Sequence, residues 1–459
     1  MGVQALPIAG EWREAATALD VRSPFDQTLV DRVGVPEGGD VEDALKAAEE
    51  ARSPLQALHA WERSERLQRA SERIAGRVEE LARTIAREAG KPIREARGEA
   101  SRAVYVFRWA AEEAKRMDGE WIPLDTEPGL GRRAGLVRRF PIGPVLAISP
   151  FNFPLNLVAH KVAPALAAGN PVLIKPSTRT PLSALALAEI LLEDDWPPGT
   201  VSVLPVDGPT TARLAEDRRI RGISFTGSDR VGWALKAANP KKKVTLELGG
   251  NAAVLVEPDA DLPFAAERLT FGSFAYAGQV CLSTQRILVA EDVREAFLGE
   301  FLPRVERLRM GDPLDDRTDV GPMISAEALG RVDDWVVEAQ EMGASVLVGG
   351  GRSDPFYRPT VLADVPEASR CWREEIFGPV VSVVGYRDFS EGLRLANATR
   401  YGLQSAIFTH DLTKALGAQE WIEAGGVIVN DAPFFRAVQM PYGGSRDSGY
   451  GREGIRWTM

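Results

Sequence analysis

Two cysteines and three histidines in 459 residues leave little material for disulfide or metal chemistry. Cys281 and Cys371 form no CxxC pair and no framework of bridges, which fits a reducing compartment. His59, His160 and His410 stand apart, with no HExxH and no Cys/His cluster, so no metal site is expected. No long uncharged apolar run is present, and nothing is expected to span a membrane. The first residues, Met1-Gly2-Val3-Gln4, lack a basic flank followed by an apolar core. No export signal is read there, and the cytoplasm is the expected location. The net charge of -10 argues against a nucleic-acid surface. The Lys241-Lys242-Lys243 run reads as a solvated approach to a strand. Also missing is a GxGxxG segment after a strand, the usual dinucleotide fingerprint.

Hydrophobic residues at 44% and charged residues at 26% are those of a globular protein, and the length calls for two or three domains. Leu67, Ala70, Ile74, Val78, Leu81 and Ile85 step by three and four, predicting one helical stripe that Gly90-Lys91-Pro92 stops. A second helix is read from Ile93 to Met117, its small and apolar side serving packing. A glycine-rich, hairpin-like excursion follows between Asp118 and Arg139. Beyond it, apolar runs at Val145–Ile148, Val172–Ile174, Val201–Leu204, Ile223–Phe225 and Val244–Leu248 alternate with helical segments. That alternation predicts a parallel sheet covered on both faces. A second series, with strands at 287–289, 346–348, 380–384 and 427–429, runs from Asn251 to about Asn430. The fold class is therefore α/β, with two doubly wound domains and a small β excursion. Residues 1–117 and 140–247 are assigned to one domain and 248–430 to the other. Segments 118–139 and 431–459 are read as bridging or oligomerisation pieces.

Three residues carry the chemistry. Cys281 follows Gly278-Gln279-Val280, Glu247 precedes Leu248-Gly249-Gly250, and Asn152 sits in Pro150-Phe151-Asn152-Phe153-Pro154. A thiol, a carboxylate and an amide are what oxidation of an aldehyde through a thioester requires. Singly, each has a plainer reading: a buried cysteine acting as a small hydrophobe, a structural ion pair, a turn asparagine between prolines. Two strand ends add a ligand edge. Phe225-Thr226-Gly227-Ser228 leads into a helix whose first N–H groups can hold a pyrophosphate, and Lys175-Pro176-Ser177-Thr178 ends another strand of the same sheet.

Seven segments in order resemble the aldehyde dehydrogenase superfamily over nearly the whole chain. They are Pro150 to Pro154, Lys175 to Ser177, Phe225 to Ser228, Glu247 to Gly250, Gly278 to Cys281, Glu375 to Pro379 and Pro441 to Gly444. The tail is most similar to the lactaldehyde and non-phosphorylating glyceraldehyde-3-phosphate dehydrogenase branches. The resemblance implies Cys281 as nucleophile, Asn152 as donor to the oxygen of the tetrahedral adduct, and Glu247 as the base that activates water on the thioester. Lys161 matches a lysine found near the active site. NAD or NADP is the implied cofactor, the product is the free acid, and the partner is a small aldehyde, with a homodimer or homotetramer expected. Lys175, Ser177 and Thr178 match the adenine-ribose side of the cofactor site, and Thr226, Gly227 and Ser228 its pyrophosphate. Glu375 matches the nicotinamide-ribose contact, and Phe377 packs either by the nicotinamide or in the core. A catalytically silent dinucleotide-binding or structural relative is the competing reading.

Four departures modify this picture. Thr178 replaces a glutamate common in NAD-preferring members; it cannot repel a 2'-phosphate, and Lys175 is near to attract one, so NADP is expected to be accepted. Phe151 replaces a common tryptophan. Val280 stands where some phosphate- or carboxylate-binding members carry arginine, which weighs against a glyceraldehyde-3-phosphate or semialdehyde substrate and leaves a short aldehyde, with or without a hydroxyl, as the expected one. Arg436 has two readings, contact with an anionic tail or a solvated loop residue. Members usually continue beyond the glycine-rich tail into a last strand that joins subunits, so a shortened tail is expected at Met459.

Overall fold

The computed structural model describes residues 2–459. Two hydrophobic cores divide it. One is built from residues between Leu6 and Leu248, with Val438 and Ile455 added from the tail. The other spans Ala253 to Ala432.

The first core surrounds a six-stranded sheet. Its strands are Val145–Ile148, Val172–Lys175, Val201–Val203, Gly222–Thr226 and Lys243–Glu247, all parallel, and Gly449–Tyr450, which is antiparallel to its neighbour. Numbered along the chain, the parallel strands lie in the order 3-2-1-4-5. The order therefore reverses beside Val145–Ile148, and ligands bind such sheets outside the carboxyl ends at that switch. Val172, Leu173 and Ile174 are all fully buried, as consecutive residues must be when both faces of a strand are covered.

The expected stripe from Leu67 to Ile85 is two helices, Ala60–Gly76 and Val78–Ala89. They break at Arg77, whose φ of -116° and ψ of 15° interrupt the ladder although the apolar spacing continues across it. Gly90 ends the second helix in the left-handed region, at φ 70°, with its N–H bonded to Ala86. The following helix, Ile93–Ala114, buries six alanines, among them Ala96, Ala100 and Ala103, which lets neighbouring helices approach closely. It also buries Glu99, so packing is only part of its role.

The second core encloses a seven-stranded sheet in the order Ser345–Val348, Thr360–Ala363, Val380–Tyr386, Thr284–Ala290, Ala252–Val256, Ser405–Phe408 and Val427–Val429. All but the first strand run parallel. Lys243–Glu247 ends at the carboxyl edge of the first sheet, and Ala252–Val256 begins at the amino edge of the second. The four residues between them cross the floor of a cleft between the two sheets, with Glu247 on one side of the crossing.

The excursion forms an antiparallel hairpin, Glu120–Pro123 with Ala134–Val137. The tail does not stay apart as a bridging loop: Gly449–Tyr450 joins the first sheet, and helix Ile455–Thr458 places Ile455 in the first core. No helix among the described residues is long and apolar enough to cross a membrane.

Candidate active site

Lys175, Thr226 and Glu247 end strands, Asn152, Cys281 and Phe377 lie in connections between elements, and Lys161 lies inside helix Asn156–Ala167. Three successive residues, Tyr276, Ala277 and Gly278, adopt positive φ of 47°, 52° and 65°, turning the chain sharply before Cys281. Gly278 is required there: a Cβ would collide with the carbonyl of Gly378. Gln279 holds the turn from inside, accepting from the Ile324 N–H at 2.9 Å and donating to the Tyr276 and Pro322 carbonyls. Gly250 lets the floor approach, since a Cβ there would meet the Cys281 carbonyl.

The Cys281 thiol opens to the cleft on one side and lies 3.4 Å from the Tyr442 hydroxyl. Burial pushes it up to about 12, with the hydrogen bond to Tyr442 opposing the shift. Asn152 is buried, and its Nδ2 donates to the Gln279 carbonyl at 2.9 Å, tying its loop to the cysteine loop. Its Oδ1 has no partner. Glu247 is 2% exposed, and neither carboxylate oxygen has a hydrogen-bond partner. Burial raises it well above the usual carboxylate range, with the neighbouring Glu453 adding to the shift and Arg436 and Lys161 opposing it. A plain structural ion pair is therefore not what Glu247 forms. Gly443 makes room for it, since a Cβ there would come within 2.9 Å of Oε1.

Lys161 does not join this cluster directly. Its Nζ donates to Thr226 Oγ1 and Glu453 at 2.7 Å each and to Ser224 Oγ at 3.2 Å. It thereby pins the end of strand Gly222–Thr226 to the tail. Glu453, fully buried, sits 3.7 Å from Arg436, which stacks on the Tyr442 ring at 3.8 Å. Arg436 is 5% exposed, with Nε and Nη2 lacking hydrogen bonds, so it is no solvated loop residue. Arg102, from helix Ile93–Ala114, lines a cavity of about 580 Å³ with Phe153 and Phe434. Burial lowers it to about 10, Arg436 adding to the shift, while Glu99, Tyr442 and Cys281 oppose it. The sequence reading missed Arg102, Tyr442 and Glu453. A charge every third or fourth residue through Glu95, Glu99 and Arg102, on the alanine face, was the available signal.

The remaining residues line the dinucleotide edge. Lys175 ends its strand half-buried, lowered mainly by burial. Ser177 is half-buried and Thr178 exposed just beyond it. Thr226 Oγ1 accepts from Lys161 Nζ, which leaves its O–H free to donate to a ligand. Ser228 caps helix Asp229–Ala238 in extended geometry, yet its hydroxyl makes no capping bond and is exposed. A helix start at the switch point with an unused hydroxyl, and a half-buried lysine at the carboxyl end of a strand two places away in the same sheet, fit a dinucleotide. Glu375 accepts from the Gly250 N–H at 2.9 Å, and burial pushes it up to about 7. Gly249 admits it, because a Cβ there would lie 2.5 Å from Oε2. Phe377, at φ 49°, packs edge-on against Phe151 with centroids 5.9 Å apart, at the cleft and not in either core.

A dinucleotide-type sheet facing a strained turn that carries one thiol is the arrangement of a two-lobed oxidoreductase. Comparison with known proteins gives the family: the aldehyde dehydrogenase family model matches residues 12–459, and the chain belongs to that family. It oxidises aldehydes to acids with reduction of NAD or NADP. It is 42% identical to the 3-sulfolactaldehyde dehydrogenase of Priestia aryabhattai, over 99% of this chain and 95% of that one. Aldehyde dehydrogenase 21 of Physcomitrella patens, solved with the reaction product succinate, superposes with a TM-score of 0.98 at 44% identity, covering 99% and 95% of the two chains. The GapN glyceraldehyde-3-phosphate dehydrogenase of Methanocaldococcus jannaschii, solved with NADP, superposes at 0.91 with 38% identity, covering 96% of each. The reading as a catalytically silent relative is set aside.

Proposed function

We propose that the substrate is a short aldehyde carrying an anionic group, and that NADP is accepted alongside NAD. The observation that carries this is a pair of guanidinium groups on the thiol side of the cleft, half-buried Arg102 lining the cavity and the buried side chain of Arg436. Each costs desolvation that an anion repays. Relatives named for 3-sulfolactaldehyde and bound to succinate support an anionic tail, sulfonate or carboxylate. This departs from the expectation drawn from Val280, which weighed against an anionic substrate: Val280 removes one anion-binding position, and the arginine pair supplies another.

In this reading the Cys281 thiolate adds to the aldehyde carbon. Asn152 Nδ2 and the Cys281 N–H donate to the developing oxyanion, releasing the bond to the Gln279 carbonyl. The bound dinucleotide supplies the hydride acceptor, and loss of hydride from the adduct leaves a thioester on Cys281. Glu247 then takes a proton from the water that attacks the thioester, and the acid leaves as the thiol is restored. Lys175, Ser177 and Thr178 would hold the adenine-ribose side and accept a 2'-phosphate, Gly227 and Ser228 would hold the pyrophosphate, Glu375 would hold the nicotinamide ribose, and Phe377 would pack by the nicotinamide. Thr226 and Lys161 position that edge from behind. Residues 1–117 and 140–247 thus serve the dinucleotide and 248–430 the thiol. A cytoplasmic homo-oligomer completes the proposal, supported by the uncovered hairpin.

The test is reduced-nicotinamide absorbance with matched aldehydes, one series ending in carboxylate or sulfonate and one in methyl, with NAD and NADP, for wild type and Arg436→Met. Wild type is expected to favour the anionic series by 10-fold or more, and Arg436→Met to lose that preference through KM. Equal kcat/KM for both series in wild type would refute the anionic assignment. A strong preference for NAD would refute the reading of Thr178.

A further inference from the structure

Behind the reactive loops lies a cluster of buried charge that touches neither thiol nor dinucleotide edge. Lys91 and Glu99 form an ion pair with side chains at most 1% exposed. Glu99 Oε1 also accepts the N–H groups of Leu155 and Asn156, at 3.0 and 3.1 Å, which start helix Asn156–Ala167 three residues beyond Asn152. That helix has no side-chain cap of its own, so a carboxylate from another helix satisfies its orphan donors. On the other side, Lys91 Nζ lies 3.5 Å from the Phe153 ring centroid and 4.8 Å from that of Tyr276. Tyr276 opens the strained turn that ends at Cys281. Its hydroxyl donates to the Ala89 carbonyl at 2.6 Å, and its N–H donates to Glu95 at 3.1 Å.

Two loops distant in sequence are therefore clamped to one short stretch, residues 89–99. At their reacting tips they are joined by the Asn152 to Gln279 bond. We propose that Lys91, Glu95 and Glu99 are positioning residues that set the spacing between the Asn152 amide and the Cys281 thiol. A buried ion pair is poor value as a stabiliser, since apolar residues of the same volume often do as well. Its worth lies in geometry: Glu99 fixes the start of one loop through two hydrogen bonds, and Lys91 holds Glu99 while resting on an aromatic ring from each loop. An error of about 1 Å in such spacing can cost on the order of 100-fold in rate.

This inference rests on the proposed role of Asn152, and the test separates the two. Single-turnover formation of reduced cofactor is measured for Asn152→Ala, Glu99→Ala, Glu99→Gln and the Asn152→Ala/Glu99→Ala double variant, with KM and dinucleotide affinity followed beside it. Glu99→Ala is expected to lower the rate about 10- to 100-fold with KM within threefold. Glu99→Gln, which keeps the acceptor, recovers most of the loss. In the Asn152→Ala background the Glu99→Ala loss shrinks below threefold, because the donor it positions is gone. Additive losses, or a lowered Tm with an intact rate, overturn the proposal while the role of Asn152 stands. A full rate in Asn152→Ala alone overturns both. Should Glu99→Ala not fold, Glu95→Ala, which frees the Tyr276 N–H from the other loop, goes through the same cycle with the same criteria.

Discussion

Glu247 and Cys281 share an unusual condition: both are ionisable groups whose charged forms the protein disfavours. Burial raises the carboxyl well above its usual range and the thiol to about 12. Both working forms are deprotonated, so turnover should climb as pH rises from 6 to 9, an acid limb without a fall in folded population. The two contributions separate in Glu247→Gln. That variant should release about one equivalent of reduced cofactor per site and then stall, its thioester detectable by mass. Continued turnover at a rate within a few-fold of wild type would show that another group activates the water. Stability has the opposite sign. A carboxyl raised in the folded state binds its proton more tightly there, so its contribution is present below the unfolded value, near 4.3, and is lost as pH rises through the folded one. Removing the charge in Glu247→Gln is accordingly expected to leave Tm at pH 8 unchanged or raised.

At the scale of elements, the parallel strands were legible because each is a short unbroken apolar run between helical segments. The site residues were legible because the chemistry needs particular side chains at strand ends. Other features obey rules that spacing does not report. The break at Arg77 leaves the apolar stripe in phase, so a helix boundary passes unseen in the pattern. Gly449–Tyr450 is a strand of two residues whose membership depends on a partner far away in sequence. Arg102 and Glu99 lie among the alanines of a helix whose small and apolar side reads as packing, and their charge alone does not tell that this face meets a cleft. The turn at Gly278 makes a direct test. Gly278→Ala demands a left-handed residue with a Cβ facing the Gly378 carbonyl, costing about 1–2 kcal/mol from backbone conformation alone, with the collision added. Activity should fall at least 100-fold, read by steady-state kinetics, while far-ultraviolet circular dichroism is kept. Wild-type activity would mean the turn relaxes freely. The hairpin belongs here too. Trp121 and Leu136 are cross-strand partners, 72% and 68% exposed, on a face that nothing in this chain covers. Replacing residues 120–137 with a short glycine linker is expected to give monomers in sedimentation velocity, and an unchanged oligomer would exclude the hairpin from the contact.

For the whole molecule, the cleft is spanned at its outer edge as well as its floor. Arg400, from the second lobe, pairs with Asp229 at the start of helix Asp229–Ala238, with Asp447 at 3.1 Å and with Glu374 at 2.7 Å. These groups are partly exposed, so salt should loosen the contact. Arg400→Ala is expected to speed dinucleotide release in stopped-flow fluorescence and to remove most of its salt dependence; an unchanged release rate would leave the contact without a role in holding the lobes. The return of the tail to the first sheet has a consequence for how the protein is made. Glu247's strand waits for its antiparallel neighbour until about two hundred further residues have been synthesised, and Lys161 waits 292 residues for Glu453. During translation the first lobe emerges with an open sheet edge and an unpaired buried lysine, and only the closing segment seals both. The first lobe is thus assembled from two stretches far apart in the chain, and its sheet edge and its lysine are closed only once the second stretch is present.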